Sequence, residues 1–405
     1  MRIPFKKADI LLPKDNFDKW AVIACDQFTS DKKYWSETQA IVGKHNSTLN
    51  ITLPEIYLED NDTDSRISKI NQTMNDYLAN GVLCEYEDVM IYIERTQPDG
   101  RIRQGIIGAV DLEEYDYTKG SKRLIRATEG TVLERIPPRV KIRKDAPLEL
   151  PHIMLLIDDA TKSIIEPLAD QKDQMKKIYD FDLMMEGGHI NGYILSEDQV
   201  NSIIEGLEGL VTDCSDPLLF AVGDGNHSLA TAKACYEQLK KDMPEKASDP
   251  LARYALAEVG NIHSDALDFE PIYRILFNVD PEDVLFEFKK HFSEEGNEQI
   301  KYFYGKKEGS VDISLPEGKI TTGVVQDFID LYLNKHTEAK VDYIHGINDL
   351  KKLAATENAI GFAYSGITKN TLFESVKTTG ALPRKTFSMG ESRDKRYYIE
   401  CRKIK

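Results

Sequence analysis

The clearest pattern in the chain is an apolar run, Leu218-Leu-Phe-Ala-Val222, that breaks at Gly223-Asp-Gly-Asn-His-Ser228 and gives way to helical spacing. The run predicts a buried strand, and Leu229, Ala232, Tyr236 and Leu239 fall on one face of the helix that follows. Gly223 and Gly225 permit the positive φ of a sharp strand-to-helix turn, with Ser228 read as the helix N-cap. Upstream, residues 20–25 read as a strand, and residues 31–42 and 65–80 as helices, the second with Ile67, Ile70, Met74 and Leu78 on one face. Residues 89–93 and 103–110 read as strands joined around the Pro98-Asp-Gly100 turn. Residues 152–157 form another strand, 166–182 look polar and partly helical, and 255–264 run from strand into loop. Residues 270–277 are apolar around Arg274. Helical spacing returns at 284–291, 324–335 and 348–356, with a strand at 359–364, a basic turn at 382–390 and a strand-like tail at 396–402. This mixed succession predicts an α/β (α+β) fold.

Composition adds little to that picture and removes several alternatives. The 405 residues are 41% hydrophobic and 30% charged, as expected of a soluble globular protein with more than one core. No run approaches the roughly 18 to 20 apolar residues of a membrane helix. The first residues lack the apolar stretch and small-residue cleavage site of a signal peptide. A cytoplasmic protein is the expectation. Cys25, Cys84, Cys214, Cys235 and Cys401 lie far apart, which argues against a disulfide framework or a zinc site of usual spacing. Cys25, beside Asp26, is the cysteine to inspect as a nucleophile. A net charge of −16 repels nucleic acid on average, and no helix-turn-helix, zinc-finger or arginine-rich signature is present. The oligomeric state is left open, a homodimer included.

The turn at residues 223–228 is where chemistry is expected. Free N–H groups and the positive dipole end of a helix suit an anion, with Asp224, Asn226 and His227 beside it. The same residues can also serve only to cap the helix. The basic stretch from Lys119 to Lys144 reads equally as an anion-binding surface or a solvated loop. Glu258, Asn261 and His263 form a second polar cluster, while His152, His189 and the other histidines lack metal-ligand spacing and are read as structural.

The chain resembles, over nearly its whole length, the bacterial and archaeal family called domain of unknown function 1015. The landmarks are Trp20-Ala-Val-Ile-Ala-Cys-Asp26, Arg126-Ala-Thr-Glu-Gly-Thr131, Gly223-Asp-Gly-Asn-His227, Asn261 to Arg274 and Leu382-Pro-Arg-Lys-Thr-Phe-Ser-Met-Gly390. The Asp-Gly-x-His element is similar to that of the ParB and sulfiredoxin superfamily, whose free serine kinases phosphorylate a small hydroxyl substrate. That resemblance implies a ParB/sulfiredoxin-like core at 116–280, an N-terminal α/β region at 1–115 and a C-terminal α/β region at 281–405. It implies Glu129, Asp224 and His227 as catalytic residues, with Asp224 holding Mg²⁺ or orienting the nucleophile. Gly223, Gly225, Asn226 and Ser228 would line the bound ATP or ADP. Ser228 stands where the kinases carry arginine, and Asn226 replaces their first histidine, so Arg126, Arg139, Arg274 or Lys385 must supply the phosphate cation. The expected function is a nucleotide-dependent phosphotransferase or phosphohydrolase for a small metabolite. A non-catalytic nucleotide-binding regulator is the alternative.

Overall fold

The computed structural model describes every residue except Met1, Pro151, Asp213, 247–249, 293–295 and 317–318. The chain divides into two units: Met1–Ala127, Thr131–Leu267 and Gly390–Lys405 make the first, Thr128–Gly130 and Asp268–Met389 the second. Both mix strands and helices, as the alternating pattern predicts.

The first unit is built on a 10-stranded mixed sheet. Along it lie Lys176–Asp182, His189–Ile194, Ile91–Thr96, Ile102–Asp111, Tyr254–Asn261, Met154–Ile157, Phe220–Asp224, Ile125–Ala127 and Tyr115–Asp116, with Phe5–Lys6 paired onto Ile102–Asp111. Met154–Ile157 runs parallel to Tyr254–Asn261 and antiparallel to Phe220–Asp224. Strand alternation feeds two cores: Tyr92 joins Leu155, Val222 and Ile203, whereas Ile91 and Ile93 join Ile107, Leu256 and Tyr397. The tail returns here, with Tyr397–Tyr398 pairing Val22–Ile23 and Arg402–Lys403 pairing Leu148–Glu149.

The second unit holds a 6-stranded sheet in which Lys307–Ile313, Glu298–Tyr304, Ala359–Ala363, Phe269–Phe277 and Lys340–His345 follow one another antiparallel. Phe387–Met389 extends it along Phe269–Pro271. Its core packs Phe288, Phe328 and Phe362 together.

Three expectations need correction. Residues 20–25 are not one strand: Trp20 ends the helix Phe17–Trp20, and only Val22–Ile23 is ladder. The Trp20 carbonyl instead accepts the Ser47 and Thr48 hydroxyls. The stretch 166–182 is helical only through Gln174, because Lys176–Asp182 is an edge strand whose charged side chains hide its alternation. Ser228 is not the N-cap, since the helix Asn226–Asp242 already starts behind Gly225. Among the described residues, no helix is long and apolar enough to cross a membrane.

Candidate functional site

The strand Phe220–Asp224 carries a bulge. Met154 pairs with Asp224 and Leu155 with Val222, so Gly223 is the extra residue and Asp224 is re-aimed at the strand end. Gly225 alone of the two glycines takes a positive φ, 74°, and a Cβ there would stand 2.8 Å from Ile153 Cα. Only glycine fits both constraints. A helix of 17 residues then begins at Asn226, and its N-cap, Gly225, has no side chain with which to cap it.

The side chains of the turn are held from several directions. Asp224 accepts the Gly225 N–H through Oδ1 at 2.9 Å, and Lys395 Nζ lies 3.5 Å from Oδ2. Asn226 accepts the Tyr115 hydroxyl at 3.2 Å and donates to Thr131 Oγ1 at 3.1 Å. His227 accepts the Val132 N–H through Nε2 at 3.3 Å. Burial, then the charges of Arg139 and Arg135, push its pKa down to about 4, so the ring is neutral and its proton sits on Nδ1.

Ser228 leads to a group that the chain pattern did not join to the turn. Its Oγ is 3.3 Å from His152 Nε2, and Asp26 Oδ2 is 3.4 Å from the same nitrogen. Tyr398 OH stands 3.2 Å from the other nitrogen, Nδ1, accepts the Cys25 N–H at 3.1 Å and donates to Cys25 Sγ at 3.0 Å. Burial alone would raise the Asp26 pKa, but His152 beside it holds the carboxyl well below the usual range. Burial likewise lowers His152, yet Asp26, with Asp224 and Glu55 further off, raises it overall. The pair is therefore imidazolium and carboxylate, and both ring nitrogens donate. Serine and aspartate share one nitrogen, so this is not the relay of a nucleophilic triad, which needs them on opposite nitrogens. Burial pushes the Cys25 thiol up to about 12, which removes it as a thiolate nucleophile.

The other predicted residues fall into two groups. In the first unit, Arg139 pairs with Glu55 and donates to the Arg135 carbonyl at 2.8 Å. Arg126 is buried on Asp216 at 2.6 Å, with further bonds to the carbonyls of Arg123 and Pro217. Cations of the basic stretch are matched by carboxylates: Lys122 by Asp216, Arg123 by Glu114, Arg143 by Glu149. In the second unit, Glu129, Arg274 and Lys385 come together. Glu129 accepts the N–H groups of Lys385 and Thr386 at 2.9 Å each. Burial raises its pKa, against the pull of those N–H groups and of Arg274. Arg274, fully buried, donates to the Lys385 carbonyl at 2.9 Å and to Gln326 at 2.8 Å. Lys385, at φ 54°, lies 5.3 Å from the centre of the Tyr343 ring.

Sequence reasoning missed Asp26, His152, Tyr398 and Lys395 as neighbours of the turn. Asp26 and His152 do border apolar runs, which was the available signal. Nothing local marks Lys395. Among the described residues, no group of three or more His, Cys, Asp or Glu is disposed to hold a metal.

Solved structures similar to this chain include a free serine kinase in complex with AMP, 14% identical with a TM-score of 0.40 over 73% of this chain and 91% of that one. A variant of a free serine kinase in complex with ADP is 13% identical with a TM-score of 0.40 over the same shares. SbnI with a C-terminal truncation, from Staphylococcus aureus, is 10% identical with a TM-score of 0.38 over 70% of this chain and 82% of that one. A search of curated proteins returns no match. The family model described as protein of unknown function, DUF1015, matches residues 3–356, and the chain belongs to that family.

Proposed function

We propose that the first unit binds the phosphates of a nucleotide at the turn of residues 223–228 and transfers a phosphoryl group to a small hydroxyl metabolite or to water. One observation carries the reading: a helix start behind a left-handed glycine N-cap, with Lys395 beside Asp224 and the charged His152 beside Ser228. Phosphoryl transfer asks for this, namely oriented N–H groups and cations on phosphate oxygens. Lys395 supplies cationic charge, whereas Arg139 is already paired with Glu55. Asp224 supplies a hard oxygen for Mg²⁺, which binds through one or two carboxylates together with phosphate oxygens.

A second reading, nucleotide binding without chemistry, is favoured by the closed Asp26–His152 pair and the neutral His227, which has its Nε2 lone pair engaged. Thermal denaturation with ADP, ATP and pyrophosphate, each with and without Mg²⁺, tests the shared step. At about 100 times its Kd a ligand adds roughly 2.7 kcal/mol. The expected result is a shift with wild type that disappears in Asp224→Ala. No shift with any ligand sinks both readings. A shift without ATP consumption in the presence of serine-like alcohols leaves the regulator.

A further inference from the structure

Arg95 on Ile91–Thr96 and Arg103 on Ile102–Asp111 face each other directly across an antiparallel pair in the first unit. Both are buried, 1% and 3% exposed. Like charges in this position repel, and burial together with Arg103 lowers the Arg95 pKa to about 9. Part of the compensation is the buried Glu258 carboxylate, 3.2 Å from Arg103 Nε, and the rest comes from backbone carbonyls, most of them in one short loop. Arg95 Nη1 donates to the carbonyls of Asp394, at 2.9 Å, and Lys395, and its Nη2 to those of Arg393 and, at 3.0 Å, Gly187. Arg103 Nη1 donates to the Asp394 carbonyl at 2.7 Å. Three consecutive carbonyls are thus turned onto two guanidinium groups. Arg396, the next residue, is held by Glu258 at 2.8 Å and by Glu400.

A loop fixed by its own carbonyls has little freedom in where its side chains emerge. Lys395 emerges toward Asp224 with its side chain only 13% exposed. Guanidinium is suited to this because its planar fork reaches several acceptors in fixed directions, which an ammonium on a flexible stem does not. Two opposed buried cations, with one carboxylate, Glu258, divided between Arg103 and Arg396, are a poor way merely to pack a sheet, where apolar residues of similar volume serve as well or better.

We propose that Arg95 and Arg103 are positioning residues that clamp the loop at 393–395 so that Lys395 stands as the phosphate-facing cation of the turn at 223–228. The phosphate part of this rests on the function proposed above; the clamp does not.

The test compares wild type, Arg95→Lys, Arg103→Gln and Lys395→Met in two measurements. Acetylation by acetic anhydride, read by mass spectrometry, reports on Lys395 with no ligand present. Lys233, 16% exposed and 2.9 Å from Glu237, is the internal reference. Titration with ADP and Mg²⁺ reports on the turn. Lys395 is expected to acetylate about tenfold faster in Arg95→Lys with Lys233 unchanged, as local opening requires. The ADP Kd is expected to rise about tenfold in Arg95→Lys and in Lys395→Met. Arg103→Gln, which removes one bond to the loop and the ion pair with Glu258, leaves Glu258 its Arg396 partner and carries the labelling measurement should Arg95→Lys fail to fold. Unchanged Lys395 reactivity in a folded variant, or an equal rise at Lys233, overturns the clamp. An unaltered ADP affinity in Lys395→Met overturns the phosphate role. Absence of ADP binding by wild type, with faster Lys395 acetylation in the variants, overturns the reading of the turn and leaves the clamp standing.

Discussion

Asp26 in the first unit and Glu129 in the second are half-buried carboxylic acids whose protons behave in opposite ways. Asp26 faces a histidine that is itself buried, and the two ionise each other: the carboxyl is held well below its usual range and the imidazole is raised. Glu129 is met chiefly by dipoles, the N–H groups of Lys385 and Thr386, and burial outweighs them, so its pKa rises. A full opposite charge at 3.4 Å overturns desolvation; the N–H groups of Lys385, Thr386 and Phe387, even helped by Arg274, do not. Asp26 thus suits fixed negative charge, and Glu129 suits a group that takes up and releases a proton.

Removing the charge of Asp26 should have the largest effect. Asp26→Asn leaves the His152 imidazolium buried without its counter-ion. Breaking a fully buried pair loses about 3–5 kcal/mol, and we expect about 3 kcal/mol here, because the Asp26 side chain keeps 29% exposure. The sign with pH follows from the two shifts. The depressed carboxylate contributes stability above its unfolded value near 4, lost as pH falls through the folded one; the raised imidazole contributes below about 6.5, lost as pH rises through its folded value. Urea unfolding of wild type and Asp26→Asn should therefore differ most between about pH 4 and 6.5. A gap that keeps widening above that window would mean His152 is not the partner that matters.

The backbone gives the same contrast at smaller scale. Gly225→Ala forces a side chain into φ 74° and against Ile153, 2.8 Å away, which should lower stability by about 2 kcal/mol. Gly130→Ala, beside Glu129, meets nothing nearer than the Leu382 carbonyl at 3.9 Å and should change stability by less than about 0.5 kcal/mol. Thermal denaturation of the two variants checks the pair. Equal losses would show that the turn of the first unit is no tighter than the loop of the second.

How much of this could be read along the chain depends on the reach of each interaction. The strand, glycine turn and helix around residues 218–239 were legible because apolar spacing and glycine act locally. Even so, the bulge at Gly223 and the helix start ahead of Ser228 were not, since both depend on how Met154–Ile157 pairs with the strand. Asp26, His152 and the tail pair Lys395 and Tyr398 come from three separate segments, and no spacing rule connects them. Arg126 and Arg139 were legible as cations but not as partners of Asp216 and Glu55. Sequence showed which charges exist and left open which were already neutralised.

Glu129→Gln separates the two carboxylates by slope more than by size. Glutamine keeps the shape, but its one carbonyl oxygen can serve only one of the Lys385 and Thr386 N–H groups, and its amide faces the other. The expected loss is about 1 kcal/mol. The slope comes from the raised pKa: between the unfolded and folded values the folded wild type holds a proton that the unfolded chain has released, so its stability falls as pH rises through that window. Glutamine has no proton to release, so the gap between wild type and Glu129→Gln should narrow as pH rises from about 4.5 through the raised value. The slope from Asp26 has the opposite sign, because there the unfolded chain holds the extra proton. Denaturant midpoints of both proteins across this range check the direction. A gap that grew with pH would mean that the N–H groups hold Glu129 ionised as firmly as His152 holds Asp26, and the distinction between a charge partner and a dipole partner would fail for this protein.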